Sequence, residues 1–169
     1  MPSILFNLVT RAQKIFLLFA ILMAVKLMEE LVFAFVVFRS GVESENFQFR
    51  IRDECTVFVA ELLCLNFAVK WITEQNSVIS EYLICTDSLS SLDSLKCISS
   101  SNNIIVEIQK QLKSLRDKHI SIDFAFVRGH TGVLGNERAD WLAKLQPSAK
   151  LTLTLIFLNR FTRRLRMKE

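Results

Sequence analysis

A histidine on a glycine-rich loop and a carboxylate on the helix that follows stand out as groups that could do chemistry, in the stretch GHTGVLGNERAD at residues 129–140. An imidazole such as that of His130 changes charge near neutral pH and can move protons. Residues 120–127 before the loop form an apolar, β-rich run, and Asn136 can cap the helix that carries Asp140. A capped helix alone would account for the asparagine and for an acid near the positive end of the helix dipole. It would not account for the histidine or for the spacing of the glycines.

Two further acids lie where the predicted elements make a carboxylate unusual. Glu61 falls on the apolar stripe of a helix predicted over residues 56–75, where a carboxylate is costly unless it is paired or binds a metal ion. Taken singly, it could also reach solvent from the edge of that stripe. Asp87 follows a short apolar strand predicted at residues 81–86, and ligands of open α/β sheets gather at the carboxyl ends of strands. Taken singly, Asp87 could also be a helix N-cap.

Apolar periodicity places these groups in an α/β domain. Residues 31–38 (LVFAFVVF) form a continuous apolar run typical of a central strand, and residues 46–52 alternate as a half-exposed antiparallel edge strand does. Helices are predicted at residues 88–96 and 103–118, ahead of the last strand. The order strand-strand-helix-strand-helix-helix-strand-helix indicates an α/β fold.

The composition is that of one domain of ordinary size, with 169 residues, of which 51% are apolar and 14 are phenylalanine. The formal net charge of +4 and the pI of about 9.0 permit a polyanionic partner without requiring one. Four cysteines show no CxxC spacing, so we expect reduced, buried thiols in place of disulfides or a metal site, at Cys55, Cys64, Cys85 and Cys97.

Both ends of the chain carry apolar segments. Residues 15–25 form an unbroken run of eleven between Lys14 and Lys26, whereas a membrane-spanning helix needs about 20 such residues. The run imitates the apolar region of a signal peptide, but no small-x-small cleavage site follows it. A buried strand or helix, in an intracellular protein, is therefore favoured over secretion or membrane attachment. Residues 151–158 are apolar and residues 159–169 are basic. This pattern suits either a basic amphipathic helix on nucleic acid or a membrane surface, or a solvated tail, and we favour the tail.

Together these residues resemble the type 1 ribonuclease H domains, especially those of non-LTR retrotransposon polyproteins. The C-terminal motif of that family has the form Gly-His-x-Gly-x-x-Gly-Asn-Glu-x-Ala-Asp, and residues 129–140 match every fixed position. Residues 58–62 (FVAEL) resemble the family's helix motif, and residues 86–88 (TDS) resemble its strand-end motif. The resemblance covers about two-thirds of the chain. It implies a ribonuclease H-like fold, with a mixed five-stranded sheet flanked by helices.

The resemblance also implies a division of the chain and a function. An apolar leader or altered first strand would occupy residues 1–30, a ribonuclease H-like domain residues 31–146, and a basic C-terminal tail residues 147–169. The function would be hydrolysis of the RNA strand of an RNA–DNA hybrid by two-metal catalysis. The partner would be the hybrid, recognised by a monomer through its backbone shape and ribose 2′-hydroxyls, and no small-molecule substrate is expected.

Four residues would take the family's catalytic roles. Glu61, Asp87 and Asp140 would hold Mg²⁺, or Mn²⁺ in its place, because hard cations are bound by clustered carboxylates. His130 would move protons or help the product to leave.

One acid of the family's pattern is missing. The family's first strand ends in an Asp-Gly-Ser motif that supplies the metal-bridging Asp, whereas no Asp precedes Asp53 in this chain. The corresponding place is residues 21–26 (ILMAVK), and Glu29 and Glu30 lie past the expected end of the strand. Because positioning carries most of phosphoryl-transfer catalysis, we expect severely reduced activity. The alternatives are a catalytically inactive nucleic-acid-binding remnant and a membrane-attached protein.

A shift of reading frame would explain the missing acid. If the codon for Leu22 ends in G, reading the gene two bases further on gives Asp-Gly at this place, and synonymous codons continue it as Ser-Lys-Thr. Residues before about Val32 would then be an altered reading of a former active-site strand. The other interpretation is that residues 15–25 are a genuine, unrelated leader. The nucleotide sequence of the gene decides between them.

Overall fold

The structure is a computed structural model, and it describes residues 18–27, 30–51, 55–75, 79–128 and 134–144. Five strands and four helices lie within these residues, which confirms the predicted α/β class. None of the described helices is long and apolar enough to cross a membrane. In chain order the elements are β1 (Leu18–Leu27), β2 (Glu30–Arg39), β3 (Val42–Ile51), α1 (Val57–Glu74), β4 (Glu81–Thr86), α2 (Leu89–Leu95), α3 (Asn103–Asp117), β5 (Ser121–Phe126) and α4 (Leu134–Lys144).

The described strands hydrogen-bond in the order β3-β2-β1-β4-β5. β2 is antiparallel to both β1 and β3, whereas β4 is parallel to both β1 and β5. β1 overlaps the apolar run at residues 15–25 and lies between β2 and β4. Because β1, β4 and β5 run in the same direction, their carboxyl ends meet at one edge of the sheet, where ligands of α/β sheets bind.

The hairpin between β2 and β3 is tighter than the sequence suggested. Ser40 and Gly41 connect the strands with positive φ angles of 52° and 78°, as two-residue hairpin turns require. The pairing starts immediately, with Val42 opposite Arg39. The predicted start of the edge strand at residue 46 was therefore wrong, because the turn sets the register and the polar residues beyond it pair without an apolar pattern.

The first core cluster packs α1 and α3 against one face of the sheet. Phe33 lies directly opposite Phe49 in the β2–β3 ladder, with ring centroids 4.9 Å apart. Phe67 of α1 continues the stack, 4.7 Å from the ring of Phe49. Large aromatic pairs of this kind add stabilisation beyond their buried area. The many phenylalanines thus have a structural role, and this face fixes α1 on the sheet.

The second core cluster lies on the opposite face of the sheet. Among the described residues, its helical members all come from α4. Small side chains let the helix approach β2 closely, and every member of the cluster is at least nine-tenths buried. The cluster comprises Val32, Ala34, Val36, Leu83, Cys85, Val127, Ala139, Leu142 and Ala143.

All four cysteines are free thiols. Cys64 and Cys85 are buried, and burial raises the pKa of the Cys85 thiol to about 12, which makes it unreactive at neutral pH. The expectation of burial was wrong for Cys97, which is exposed because it lies in the turn that follows α2.

Candidate active site

The turn that follows β4 carries the acid at the carboxyl end of the strand. The Ser88 amide donates to the Thr86 hydroxyl at 3.2 Å, and the Ser88 hydroxyl accepts from the Ser91 amide at 3.3 Å. Ser88 is therefore the N-cap of α2, and the interpretation of Asp87 as that cap was wrong. Asp87 is left between the strand and the capped helix, half-buried at the sheet edge.

Glu61 lies in the second turn of α1 and reaches the same turn. Its Oε2 atom accepts hydrogen bonds from the Ser88 hydroxyl and, at 3.4 Å, from the Ser91 hydroxyl. Both serines are buried, so the carboxylate is held by groups that solvent hardly reaches. Glu61 is neither unpaired nor simply directed to solvent from the edge of the apolar stripe. α1 and α2 together bring Glu61 to the end of β4, beside Asp87.

The carboxyl group of Glu61 has a raised pKa. The largest cause is burial, which disfavours the charged form, and the negative charge of Asp87 acts in the same direction. Hydrogen bonds from Ser88 and Ser91 oppose these effects but do not cancel them. A carboxyl group whose pKa is raised by burial and by a neighbouring acid is typical of sites that bind cations or transfer protons.

Asp140 lies on α4, on the other face of the sheet. It is only 6% exposed, and its Oδ2 atom accepts a hydrogen bond from the Lys144 ammonium at 2.5 Å. The helix begins at Leu134, so Asn136 lies inside its first turn and the prediction of Asn136 as the N-cap was wrong. Asp140 is thus buried, and the ammonium group of Lys144, one turn further along the helix, compensates its charge.

Polar contacts attach α4 to the edge strand β3. Arg138 donates two hydrogen bonds to the carboxylate of Glu43, at 2.9 and 3.2 Å, and its guanidinium lies 4.4 Å from the centre of the Trp141 ring. Gln48 donates to the backbone carbonyl of Leu142 at 2.6 Å. These contacts fix the rotation of the helix and, with it, the position of Asp140.

The first strand brings no acid to the site. In the parallel ladder between β1 and β4, Leu22 pairs with Thr86, the residue before Asp87. The ten residues of β1 read LFAILMAVKL and contain no Asp or Glu. The place beside the end of β4, where the resemblance expected a metal-bridging Asp, is thus occupied by Leu22 and Met23.

Two carboxylates of the described residues lie at this edge of the sheet. Glu61 and Asp87 offer hard oxygen atoms close together, which suits one divalent cation. Among the residues described, however, no group of three or more His, Cys, Asp and Glu side chains is gathered as a metal site. His130 lies outside the described residues. Among the described residues, Glu61 and Asp87 are therefore the pair that could share one divalent cation.

Three residues of this region were not found from the sequence. Ser88 and Ser91 anchor Glu61, and Lys144 neutralises Asp140. The spacing of three between the serines on a short helix, and of four between the acid and the lysine, placed each pair on one helix face. The link of the two serines to Glu61 needed the tertiary structure, whereas the contact of Lys144 with Asp140 follows from their spacing on α4.

Comparison with known proteins relates this arrangement to one family. A family model described as RNase H matches residues 28–147. Among solved structures, this chain is similar to RNase H1 from the halophilic archaeon Halobacterium salinarum NRC-1, with a TM-score of 0.57 and 17% sequence identity. That match covers 75% of this chain and 94% of the archaeal chain. A search of the curated proteins found no match.

Proposed function

The chain belongs to the ribonuclease H family, and we propose that it acts on RNA–DNA hybrids as a ribonuclease whose metal-dependent cleavage is severely reduced. The observation that carries this proposal is the composition of the sheet edge. Glu61 and Asp87 meet at the end of β4, whereas β1 places Leu22 beside Thr86 and contributes no carboxylate.

Glu61 and Asp87 are the residues that would hold a divalent cation, Mg²⁺ or Mn²⁺. Bound there, such a cation would polarise a phosphate oxygen and lower the pKa of a coordinated water molecule. The protein's own part is positional. Ser88 and Ser91 orient the carboxylate of Glu61, and the cap that Ser88 forms on α2 keeps Asp87 beside it. A site short of one shared acid leaves the cation poorly placed, and positioning carries most of the rate in phosphoryl transfer.

Asp140 and His130 are given roles in this proposal by resemblance to the family. Asp140 is the acid that follows the last strand in the family's pattern, and His130 would move protons or help the product to leave. Hybrid recognition would use the backbone and the ribose 2′-hydroxyls, as recognition of RNA in helical form generally does. A retrotransposon polyprotein is the proposed source of the domain, and a frame-shifted reading is the proposed origin of β1.

A catalytically inactive hybrid-binding module is the second candidate function. It is favoured by the same missing acid, since recognition of a backbone does not need the metal-bridging carboxylate. Cleavage and binding of one labelled hybrid separate the two candidates. Slow cutting that depends on Asp87 supports a weakened enzyme. Binding without any cutting in Mg²⁺ or Mn²⁺ supports the inactive module, and the absence of both refutes the two proposals together.

A further inference from the structure

The ion pair between Lys144 and Asp140 differs from an ordinary pair on a helix surface. The two residues lie one turn apart on α4, and the ammonium nitrogen is 2.5 Å from the carboxylate oxygen. Lys70 and Glu74 have the same spacing on α1, but their charged atoms are 3.8 Å apart and both side chains are exposed. Exposed pairs of this kind contribute little to stability. Asp140, in contrast, is buried, and a buried carboxylate requires a compensating charge or hydrogen bonds.

The Lys144 ammonium nitrogen lies 2.5 Å from Oδ2 of Asp140, within the range at which a divalent cation would coordinate the same atom. A divalent cation coordinates a carboxylate oxygen at about 2.0–2.6 Å, so at Oδ2 it would meet the ammonium group at close range. Two positive charges cannot share one carboxylate oxygen in a buried setting without strong repulsion. Lys144 is half exposed, so the ammonium could leave only by turning the side chain into solvent.

We propose that Lys144 is a built-in counter-cation that competes with divalent cations for Asp140 and withholds this acid from metal binding. The inference rests on the proposed function, because it concerns an acid assigned to the same site. It gives that site a second reason for weak catalysis, independent of the acid missing from β1. Lys144 is a positioning residue in this account, since it acts through Asp140 and not on a substrate.

The test is Mn²⁺ binding by the full chain without nucleic acid, measured from the free-ion signal in electron paramagnetic resonance. Lys144→Met should bind Mn²⁺ at least about tenfold more tightly than the wild type, because a positive charge next to the ligand has been removed. The double variant Asp140→Asn/Lys144→Met should lose this gain. Lys70→Met removes a lysine from the same kind of pair on α1 and should bind Mn²⁺ as the wild type does.

Asp140→Asn alone provides a test that does not depend on the folding of Lys144→Met. If Lys144 withholds Asp140, this substitution leaves Mn²⁺ affinity within twofold of the wild type. A tenfold loss of affinity in Asp140→Asn would overturn the inference, as would unchanged affinity in a folded Lys144→Met. Because no hybrid is present, these results are separate from failure of the proposed function, which would appear as absence of both hybrid binding and cleavage.

Discussion

The ion pair between Arg138 and Glu43 should stabilise the attachment of α4 to the sheet by a measurable amount. The perturbation is Arg138→Met and Glu43→Gln, made singly and together. Two hydrogen bonds at 2.9 and 3.2 Å join the groups, and their side chains are 35% and 29% exposed. Fully exposed pairs contribute roughly 0.2–1 kcal/mol, and hydrogen bonds to charged groups about 1.5–3 kcal/mol. This pair is partly exposed and is joined by two hydrogen bonds. Its coupling free energy should therefore fall between these two ranges, at about 1 kcal/mol.

The assay is a double-mutant cycle of urea unfolding at neutral pH and at a series of lower pH values, followed by the intrinsic fluorescence of Trp71 and Trp141. The hydrogen bond from Arg138 lowers the pKa of Glu43 below its ordinary value of 4.5. The stabilisation is therefore present above about that pH and is lost as the pH falls through the lowered pKa of the folded state. The matched control is the pair Lys96–Asp93, which is more exposed and should couple by less than about 0.5 kcal/mol.

Either of two results would contradict a stabilising pair between Arg138 and Glu43. One is a coupling for Arg138 and Glu43 no larger than that of the control pair. The other is a coupling that does not change as the pH falls through the pKa of Glu43. Either would mean that packing of the second core cluster, and not this ion pair, determines how α4 sits.

Two further predictions concern the core and the acid pair. Phe33→Ala should lower the free energy of unfolding by about 3–5 kcal/mol because it opens a cavity in the aromatic stack. Phe126→Ala, at a residue that is 46% exposed, should lower it by less than about 1 kcal/mol. Equal losses for the two variants in denaturant titrations would contradict this packing. Burial raises the pKa of Glu61 above 4.5, so its contribution to stability is fully present below about pH 4.5 and declines as the pH rises through the raised pKa. Glu61→Gln should remove that decline from the dependence of the melting temperature on pH. Glu74→Gln, at the exposed end of the same helix, should retain it. The same pH dependence in the wild type and in Glu61→Gln would show that the site does not perturb the pKa of Glu61.

The sequence was sufficient where local pattern and tertiary environment agree. The apolar run at residues 31–38 became the buried strand β2, and the stripe on residues 56–75 became α1, because continuous burial and helical periodicity leave few alternatives. Asp87 was placed at the end of β4 for the same reason, since a short apolar strand has a well-defined carboxyl end.

Features that depend on contacts between distant residues could not be predicted. The start of α4 at Leu134 was missed because Asn136 is a good N-cap residue, and the helix nevertheless begins earlier. Glu61 looked like an isolated acid until Ser88 and Ser91, about 30 residues further on, were seen to hold it. The register that places Leu22 beside Thr86 is likewise a property of the sheet and not of either strand alone.

The most direct test of the central claim is cleavage of a labelled RNA–DNA hybrid in Mg²⁺ and in Mn²⁺ by two versions of the chain. One is the chain as it stands. The other restores Asp-Gly-Ser-Lys-Thr at the carboxyl end of β1 through Met23→Asp, Ala24→Gly, Val25→Ser and Leu27→Thr, with Lys26 kept. We predict that both bind the hybrid and that the restored version cuts it measurably faster than the unaltered chain. Efficient cutting by the unaltered chain, abolished by Asp87→Asn, would contradict the account, because another group would then supply the acid that β1 lacks.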